Sequence, residues 1–363
     1  MMASRRFPFG KRSVADAARE RKVGIKDVSR EAGVAISTVS HVLNGTAPIS
    51  PDVRGRVLDA ARRLGYLAKR QAKASIGALD TILLAVPSDT VIETQVNLFS
   101  FTLLSALTRE CERRGIRILP LTADGKSFSA AQLVQEARNG QAEGIVVLSE
   151  DRSELLSGIA ASGIPAVLIN GEDHGMQIDS VTPGNRFAAR LATDWLIKQG
   201  HRSILHLTWE GRSTIRRRRD GFLDAFAANG LPTENAQIQF AEGYLPQHGE
   251  AAIARWLKEH GGLGGVTAIF CAADNLALGA LTALHSAGLS VPGDVSIMGF
   301  DGVTIGELTD PPLTTVSVPL DQLGPAALHL LEQRILNPHL ERAAHRLELG
   351  CRLSIRDSVA QAR

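Results

Sequence analysis

The sequence predicts two kinds of structure in one chain: a small all-α head and, behind it, an α/β body of two doubly wound parallel-sheet lobes. Three observations predict it. The chain has 363 residues, more than a single domain of ~150 residues requires. Its first 75 residues hold 16 Lys and Arg against 6 Asp and Glu, while the remainder holds 24 against 32. The formal charge of +2 therefore conceals a basic head on an acidic body, the signature of a polyanion-binding module joined to something else. Lastly, the head carries only helical periodicity, whereas the body alternates short apolar runs with helical patterns.

Composition excludes several classes. Hydrophobic residues make up 44% and charged residues 21%, so the chain is neither disordered nor fibrous. Cys111, Cys271 and Cys351 are odd in number and widely spaced, which predicts buried reduced thiols, no disulfide framework and no metal site. Ser4-Arg5-Arg6-Phe7 has the look of a twin-arginine signal. The basic run from Lys11 to Lys22 stands where such a signal needs apolar residues. No run approaches the ~18 apolar residues of a membrane span. A cytoplasmic location is expected.

In the head, Ile25, Val28 and Ala32 share one helical face, and Gly33 ends that helix. A second helix from Ile36 turns Val39, Val42 and Leu43 inward. Two short helices about a glycine turn form a helix-turn-helix, whose second helix can lie in a DNA major groove. Ser50 as N-cap and Pro51 at the first position begin a third helix, closed by Val53, Val57, Leu58, Ala61 and Leu64. Ile36, Ser37 and His41, at the start of the second helix, are the expected base contacts; a histidine can donate to guanine N7 or O6. Lys26, Thr38, Ser40, Asn44 and Tyr66 are the expected phosphate contacts, which fix register without reading sequence. A small helical bundle with no nucleic-acid role is the competing reading.

Ile25-Lys26-Asp27-Val28, Ala32-Gly33-Val34, Thr38-Val39-Ser40, Val42-Leu43-Asn44-Gly45 and Leu64-Gly65-Tyr66 follow one another without a gap. This series resembles the DNA-binding domain of the lactose/galactose repressor family. The resemblance sets the base-reading residues at the same three positions. It also implies a hinge helix after Tyr66, from which a leucine of each subunit wedges into the minor groove. Here the hinge candidates are Lys69, Arg70, Lys73, Ser75 and Ile76, and the count from Tyr66 puts Ser75 at the wedge. A serine cannot fill an unstacked base step. Either Ile76 or Leu79 takes over by a shift in register, or the protein bends DNA less, and the second is the favoured expectation.

In the body, Ile82–Val86, Ile116–Leu119, Gly144–Leu148, Ala166–Ile169, Ile204–Leu207, Ala268–Cys271 and Ser296–Gly299 read as strands separated by helices. Ligands of such folds bind beyond the carboxyl ends of the strands. The ordered landmarks Gly163-Ile164-Pro165, Gly200-His201-Arg202, Arg218 with Gly221-Phe222, Gly299-Phe300-Asp301 and Pro312-Leu313-Thr314-Thr315-Val316 extend the resemblance to the family's effector core, a periplasmic-binding-protein-like pair of lobes. The implied organisation is a basic flexible leader at 1–22, the helix-turn-helix domain at 23–66, a hinge at 67–80 and the core at 81–358. Lobe 1 takes about 81–183 plus 317–338, and lobe 2 about 184–316 plus 339–358.

The resemblance also implies effector-binding residues. Arg218 precedes Gly221 by three, as a ligand-clamping arginine does, and Asp301 ends the Gly-Phe-Asp strand. Together they offer donors and a bidentate acceptor to a polar ligand. Tyr244 matches a stacking aromatic, Arg212 and Thr214 match polar contacts, and Asn170 stands where an aspartate is common. Phe99 completes the set. Ala273 replaces an asparagine of many sugar-binding members, so one hydroxyl contact is expected to be missing. Competing structural readings are a solvated basic face for Arg216–Arg219, a core role for Tyr244 and a helix-end role for His201.

The function so implied is a ligand-responsive, sequence-specific transcriptional regulator. It is expected to be a repressor on a pseudo-palindromic operator, bound as a homodimer (a tetramer being the larger option). The effector is a sugar or sugar derivative, or else a nucleobase. A sugar-binding transport receptor is the alternative. No motif of an enzyme or of a cofactor site occurs. The leader fits either a phosphate-contacting arm or an overlong start. Without it, nine basic residues still face four acids across the motif and linker.

Overall fold

The computed structural model describes residues 24–44, 47, 49–67, 79–87, 98–123, 128–338 and 343–362. Contacts divide the chain into residues 1–75 and 76–363. The leader 1–22 and the hinge candidates Lys69, Arg70, Lys73, Ser75 and Ile76 lie outside the described residues.

The head contains α1 (Ile25–Ala32), α2 (Ile36–Asn44) and α3 (Pro51–Arg63). The Asp27 carboxylate accepts the Gly24 N–H at 2.9 Å and fixes the start of α1. Gly33, at φ 65°, ends it in the left-handed conformation that suits glycine. The core is made of Val28, Ala32, Val39, Val42, Val57, Ala60 and Ala61, with larger apolar residues packed around it. The expected start of α3 forms, with one qualification. Ser50 occupies the N-cap of α3 but its side chain makes no capping bond, leaving Pro51 to set that start.

In the body, the first sheet holds β1 (Thr81–Val86), β2 (Arg117–Thr122), β3 (Gly144–Leu148), β4 (Ala166–Ile169), β5 (Asp179–Pro183) and β11 (Arg346–Leu349). Its order is β11-β5-β4-β3-β1-β2, all parallel. The second holds β6 (Ile204–Trp209), β7 (Ala236–Ala241), β8 (Ala268–Cys271), β9 (Ser296–Asp301), β10 (Thr314–Ser317) and β12 (Arg352–Ser354). Its order is β12-β10-β9-β8-β6-β7, with β12 antiparallel to β10, so this sheet is not wholly parallel as expected. Helices α4 (Leu98–Arg114), α5 (Ala130–Asn139), α6 (Ser153–Ala161) and α11 (Leu320–Leu336) cover the first sheet. Helices α7 (Asn185–Lys198), α8 (Ser213–Ala228), α9 (Pro246–His260) and α10 (Asp274–Ser286) cover the second.

A second correction concerns the lobe boundary. Residues 339–358 were expected in lobe 2, yet Arg346–Leu349 pairs with β5 in the first sheet. The chain crosses once more at Gly350-Cys351, and only β12 returns to the second sheet. Leu79, 2% exposed, is packed in the body core. It therefore cannot act as a DNA wedge while the body stays folded. Cys111 and Cys271 are buried free thiols, but Cys351 is only half-buried. Among the described residues no helix is long and apolar enough to cross a membrane.

Candidate functional site

The carboxyl ends of both sheets open onto one cavity of about 200 Å³. Residues after β1 (Pro87), β3 (Ser149), β4 (Asn170) and β8 (Ala273) line it, as do the last residues of β6 (Trp209) and β9 (Asp301). This is where a doubly wound sheet presents a ligand site. The structure brings all eight expected effector residues together on its walls: Arg218, Asp301, Tyr244, Arg212, Thr214, Asn170, Phe99 and Ala273.

Arg218 is 3% exposed and held from every side. Its Nε donates to Asn185 Oδ1 at 2.9 Å, and its Nη1 donates to the Ala272 carbonyl and to Asp301 Oδ1, the latter at 3.0 Å. Its guanidinium lies 3.7 Å from the Phe300 ring centroid. The reading of Arg216–Arg219 as a solvated face fails for this residue. Its neighbours diverge: Arg216 donates to the Gly211 carbonyl, Arg217 pairs with Glu172 and Arg219 with Glu210.

Asp301 has φ 119°, a backbone value that costs a non-glycine residue ~1–3 kcal/mol and concentrates at functional sites. Burial raises its carboxyl pKa against the opposing pull of Arg218 and Arg212. Behind it lies Asp274, fully buried, accepting the Thr315 hydroxyl at 2.6 Å and the Val303 N–H at 2.9 Å. Burial, then the charge of Asp301, pushes Asp274 up to about 8. A Cβ on Gly299 would meet Asp274 Oδ1 at 2.1 Å, so the carboxyl pair requires glycine on that strand.

The remaining walls mix aromatic and polar groups. Trp209 and Tyr244 stand with ring centroids 6.0 Å apart at 47°. Asn170 and Ser149 both adopt positive φ, and the Asn170 amide donates to Ser149 Oγ at 3.3 Å. Asn170 Oδ1 and the Thr214 hydroxyl are buried without a partner among the described residues.

Polar bonds tie the two lobes beside the cavity. Asp151, after β3, accepts the Glu172 N–H at 2.9 Å and, by a short bond, the N–H of Ser213 at the start of α8. His174 shares a 3.1 Å hydrogen bond with Ser213 Oγ. Glu172 takes Arg217 at 2.6 Å and also Arg346. Burial would raise the Glu172 pKa, but the two arginines outweigh it and hold it down at about 2. His206 and His201 are structural. The first stacks between Phe222 and Phe270, and burial lowers its pKa to about 3. His201 bonds Thr267 and the Ala360 carbonyl just past α7.

In the head, Ile36 is 44% exposed, and Ser37 and His41 lie exposed on the same helix. Lys26 is exposed on α1, Thr38 and Ser40 are half-buried, and Tyr66 packs against the head core. Asn44 ends α2, with its side chain outside the described residues.

The family model described as "Bacterial regulatory proteins, lacI family" matches residues 24–68, and "Periplasmic binding protein-like domain" matches 193–359. The chain carries a lacI-family DNA-binding domain and, behind it, a periplasmic-binding-protein-like domain. The ribose operon repressor of Haemophilus influenzae is 28% identical over 354 residues, covering 92% of this chain and 98% of that protein. The transcriptional regulator CelR–cellobiose complex is 26% identical with a TM-score of 0.66, covering 93% of this chain and all of the other. The Lac repressor dimer bound to operator and the anti-inducer ONPF, at 23% identity, shares the fold with a TM-score of 0.67 over 94% of this chain. Homologues in this family are ligand-responsive transcriptional regulators rather than enzymes.

The sequence motifs did not point to Trp209 and Asn275, which also line the cavity. Trp209 ends β6 directly opposite the Ala241 register position, a strand-end aromatic that was available as a signal. Asn275 stands two residues beyond Ala273, on the first turn of α10, and offers an amide to the wall from which the family's asparagine is missing.

Proposed function

We propose that this chain is an effector-responsive repressor that binds a pseudo-palindromic operator as a homodimer in the cytoplasm. The carrying observation is a conjunction. One chain holds a recognition helix with Ile36, Ser37 and His41 exposed and a polar cavity between two lobes organised on the Arg218–Asp301 pair. Ile36, Ser37 and His41 read base edges. Lys26, Thr38, Ser40, Asn44 and Tyr66 fix register on the phosphates. The two halves of a palindrome double the short readout of one helix. Leu308 at 82% exposure and Ile355 at 58% supply apolar surface for a second copy.

The effector is small and polar. A cavity of about 200 Å³ falls below the ~300–1,000 Å³ typical of drug-sized ligands, which favours one sugar ring over a disaccharide. Among relatives, one is named for ribose and another is bound to cellobiose. The Tyr244 and Trp209 rings offer stacking faces and Arg218, Asp301 and Asn170 offer polar groups on the same walls, a combination that supports the sugar class. The effector acts by its differential affinity for operator-competent and operator-incompetent forms.

The test is fluorescence anisotropy on operator selected from random duplexes, at two salt concentrations and with a panel of monosaccharides. Salt-sensitive, sequence-selective binding modulated by one of the panel is the expected result. Binding that ignores both salt and sequence would refute the reading.

A further inference from the structure

We propose that Asn275 sets effector specificity: its amide takes a ring hydroxyl of a neutral monosaccharide, at a wall where Ala273 offers only a methyl group. The inference rests on the reading of the cavity as the effector site. Asn275 lines that cavity, half-buried on the first turn of α10. Among the described residues its side-chain amide makes no hydrogen bond, to its own helix or to any other element. Asparagine is a poorer helix former than alanine because its side chain competes for backbone groups, and it helps a helix chiefly as a cap. Here the cap position belongs to Ala273, which makes no side-chain bond. Asn275 therefore weakens its helix without an internal bond to offset the loss, and it does so on the wall of a cavity.

The mount is rigid. Asp274, the preceding residue, is fully buried and bound by the Thr315 hydroxyl and the Val303 N–H. Helix α10 also presses on α9: a Cβ on Gly279 would meet the Pro246 carbonyl oxygen at 1.9 Å, and one on Gly249 would meet that of Leu276 at 2.6 Å. An amide held this way is pre-organised, so a ligand group that meets it loses little to ordering the protein. Its surroundings define that group. β8, which leads into α10, lies between β6 and β9. β6 ends in Trp209 and β9 in Asp301, and both line the cavity. The Trp209 indole lies against Gly211, where a Cβ would meet its Nε1 at 2.5 Å. Asn275 thus belongs to a wall with an aromatic face on one side and a carboxyl group on the other. A primary amide donates and accepts at once, as a hydroxyl does, and the ring takes the apolar face of a sugar. In the other lobe Asn170 Oδ1, in a residue 3% exposed, has no partner among the described residues and calls for a donor. A sugar ring carries hydroxyls for both lobes at once.

The experiment is isothermal titration of the full chain with D-ribose, D-glucose, D-galactose and their monodeoxy analogues, with adenine and guanine beside them. At least one sugar is expected to bind, and Asn275→Ala is expected to weaken it roughly 3- to 30-fold. One monodeoxy analogue is expected to lose a similar factor against the parent and nothing further against Asn275→Ala, because the two changes remove the same bond. Asn275→Asp keeps an acceptor and suits the first turn of a helix, so it is expected to retain part of the affinity. The ligand-free melting temperature of Asn275→Ala is expected not to fall, alanine being the better helix former. A fall in that temperature would make the residue structural and overturn the inference. So would affinity indifferent to Asn275→Ala, a loss shared equally by the sugar and every deoxy analogue, a nucleobase bound tighter than all the sugars, or silence of every sugar. Each of these leaves operator binding, and with it the proposed function, standing. Absence of any operator binding by the parent would instead overturn that function, whatever the sugars do.

Discussion

The carboxylate of Asp151, in the first lobe, accepts the backbone N–H of Ser213, in the second. A helix that carries Arg212 at its cap and Thr214 and Arg218 in its first turns thus has its leading N–H group satisfied from across the cleft. Replacing Asp151 by Ala leaves that donor bare, and a hydrogen bond to a charged group contributes ~1.5–3 kcal/mol. We expect Asp151→Ala to favour the open cleft, seen as a larger radius of gyration of the ligand-free chain in solution scattering. A profile identical to that of the parent would refute this role.

Arg218 is expected to separate effector binding from DNA binding. Arg218→Ala leaves Asp301 buried beside an emptied position, at a cost of ~3–5 kcal/mol. Its melting temperature is expected to fall, and operator affinity measured well below melting is expected to hold while effector response disappears. Arg218→Lys keeps the charge but not the fork, so it is expected to recover stability more than response. Anisotropy titrations of both variants with and without effector decide the point.

The head residues divide by role. His41→Ala is expected to relax selectivity at one base pair by ~1–3 kcal/mol with the salt slope unchanged. Lys26→Ala is expected to weaken all duplexes alike and to reduce the magnitude of the salt slope by about one. Competition titrations at three salt concentrations separate these patterns. A His41 variant with intact selectivity would remove that residue from the reading surface.

Asp274 gives the body a pH signature above neutrality. An ordinary aspartate titrates near 3.9, whereas burial and Asp301 bring this one to about 8. The folded state therefore holds a proton that the unfolded state has released, and stability falls as pH rises toward 8. Below about 6.5 the buried His206, lowered to about 3, acts the other way, because the unfolded chain then binds the proton. The clean window is pH 6.5 to 8. Denaturant melts there are expected to show falling stability in the parent and a flatter line in Asp274→Asn. Equal slopes would contradict the assignment.

Much of this was legible in the sequence because apolar periodicity marks what is buried on one face. The head helices and the seven strands read from apolar runs all form, with β2 starting one residue later than expected. The five missed strands, β5, β7, β10, β11 and β12, all lack a continuous apolar run. β5 is buried throughout yet carries Asp179, Ser180 and Thr182, tolerated because Arg334 grips Asp179 through two bonds of 2.7 and 2.6 Å. β11 and β12 are short, half-exposed edge strands, and β11 joins the first sheet only after a long excursion in sequence. The cavity-lining residues Arg218, Asp301 and Tyr244 could be named because motifs carry them. Trp209 and Asn275 sit outside those motifs, and Asp151 acts through a bond to a backbone group, which no side-chain pattern announces.

The head core has a thermodynamic consequence. Its seven buried side chains are all valine or alanine, little apolar volume for a unit this small. Such a head draws only a modest margin of stability from its own core. Operator that binds only the folded form adds to that margin, so DNA acts as a folding ligand. Affinity for operator is then expected to respond to head stability as well as to base contacts. A core-emptying substitution such as Val57→Ala is then equivalent in effect to lowering the operator concentration.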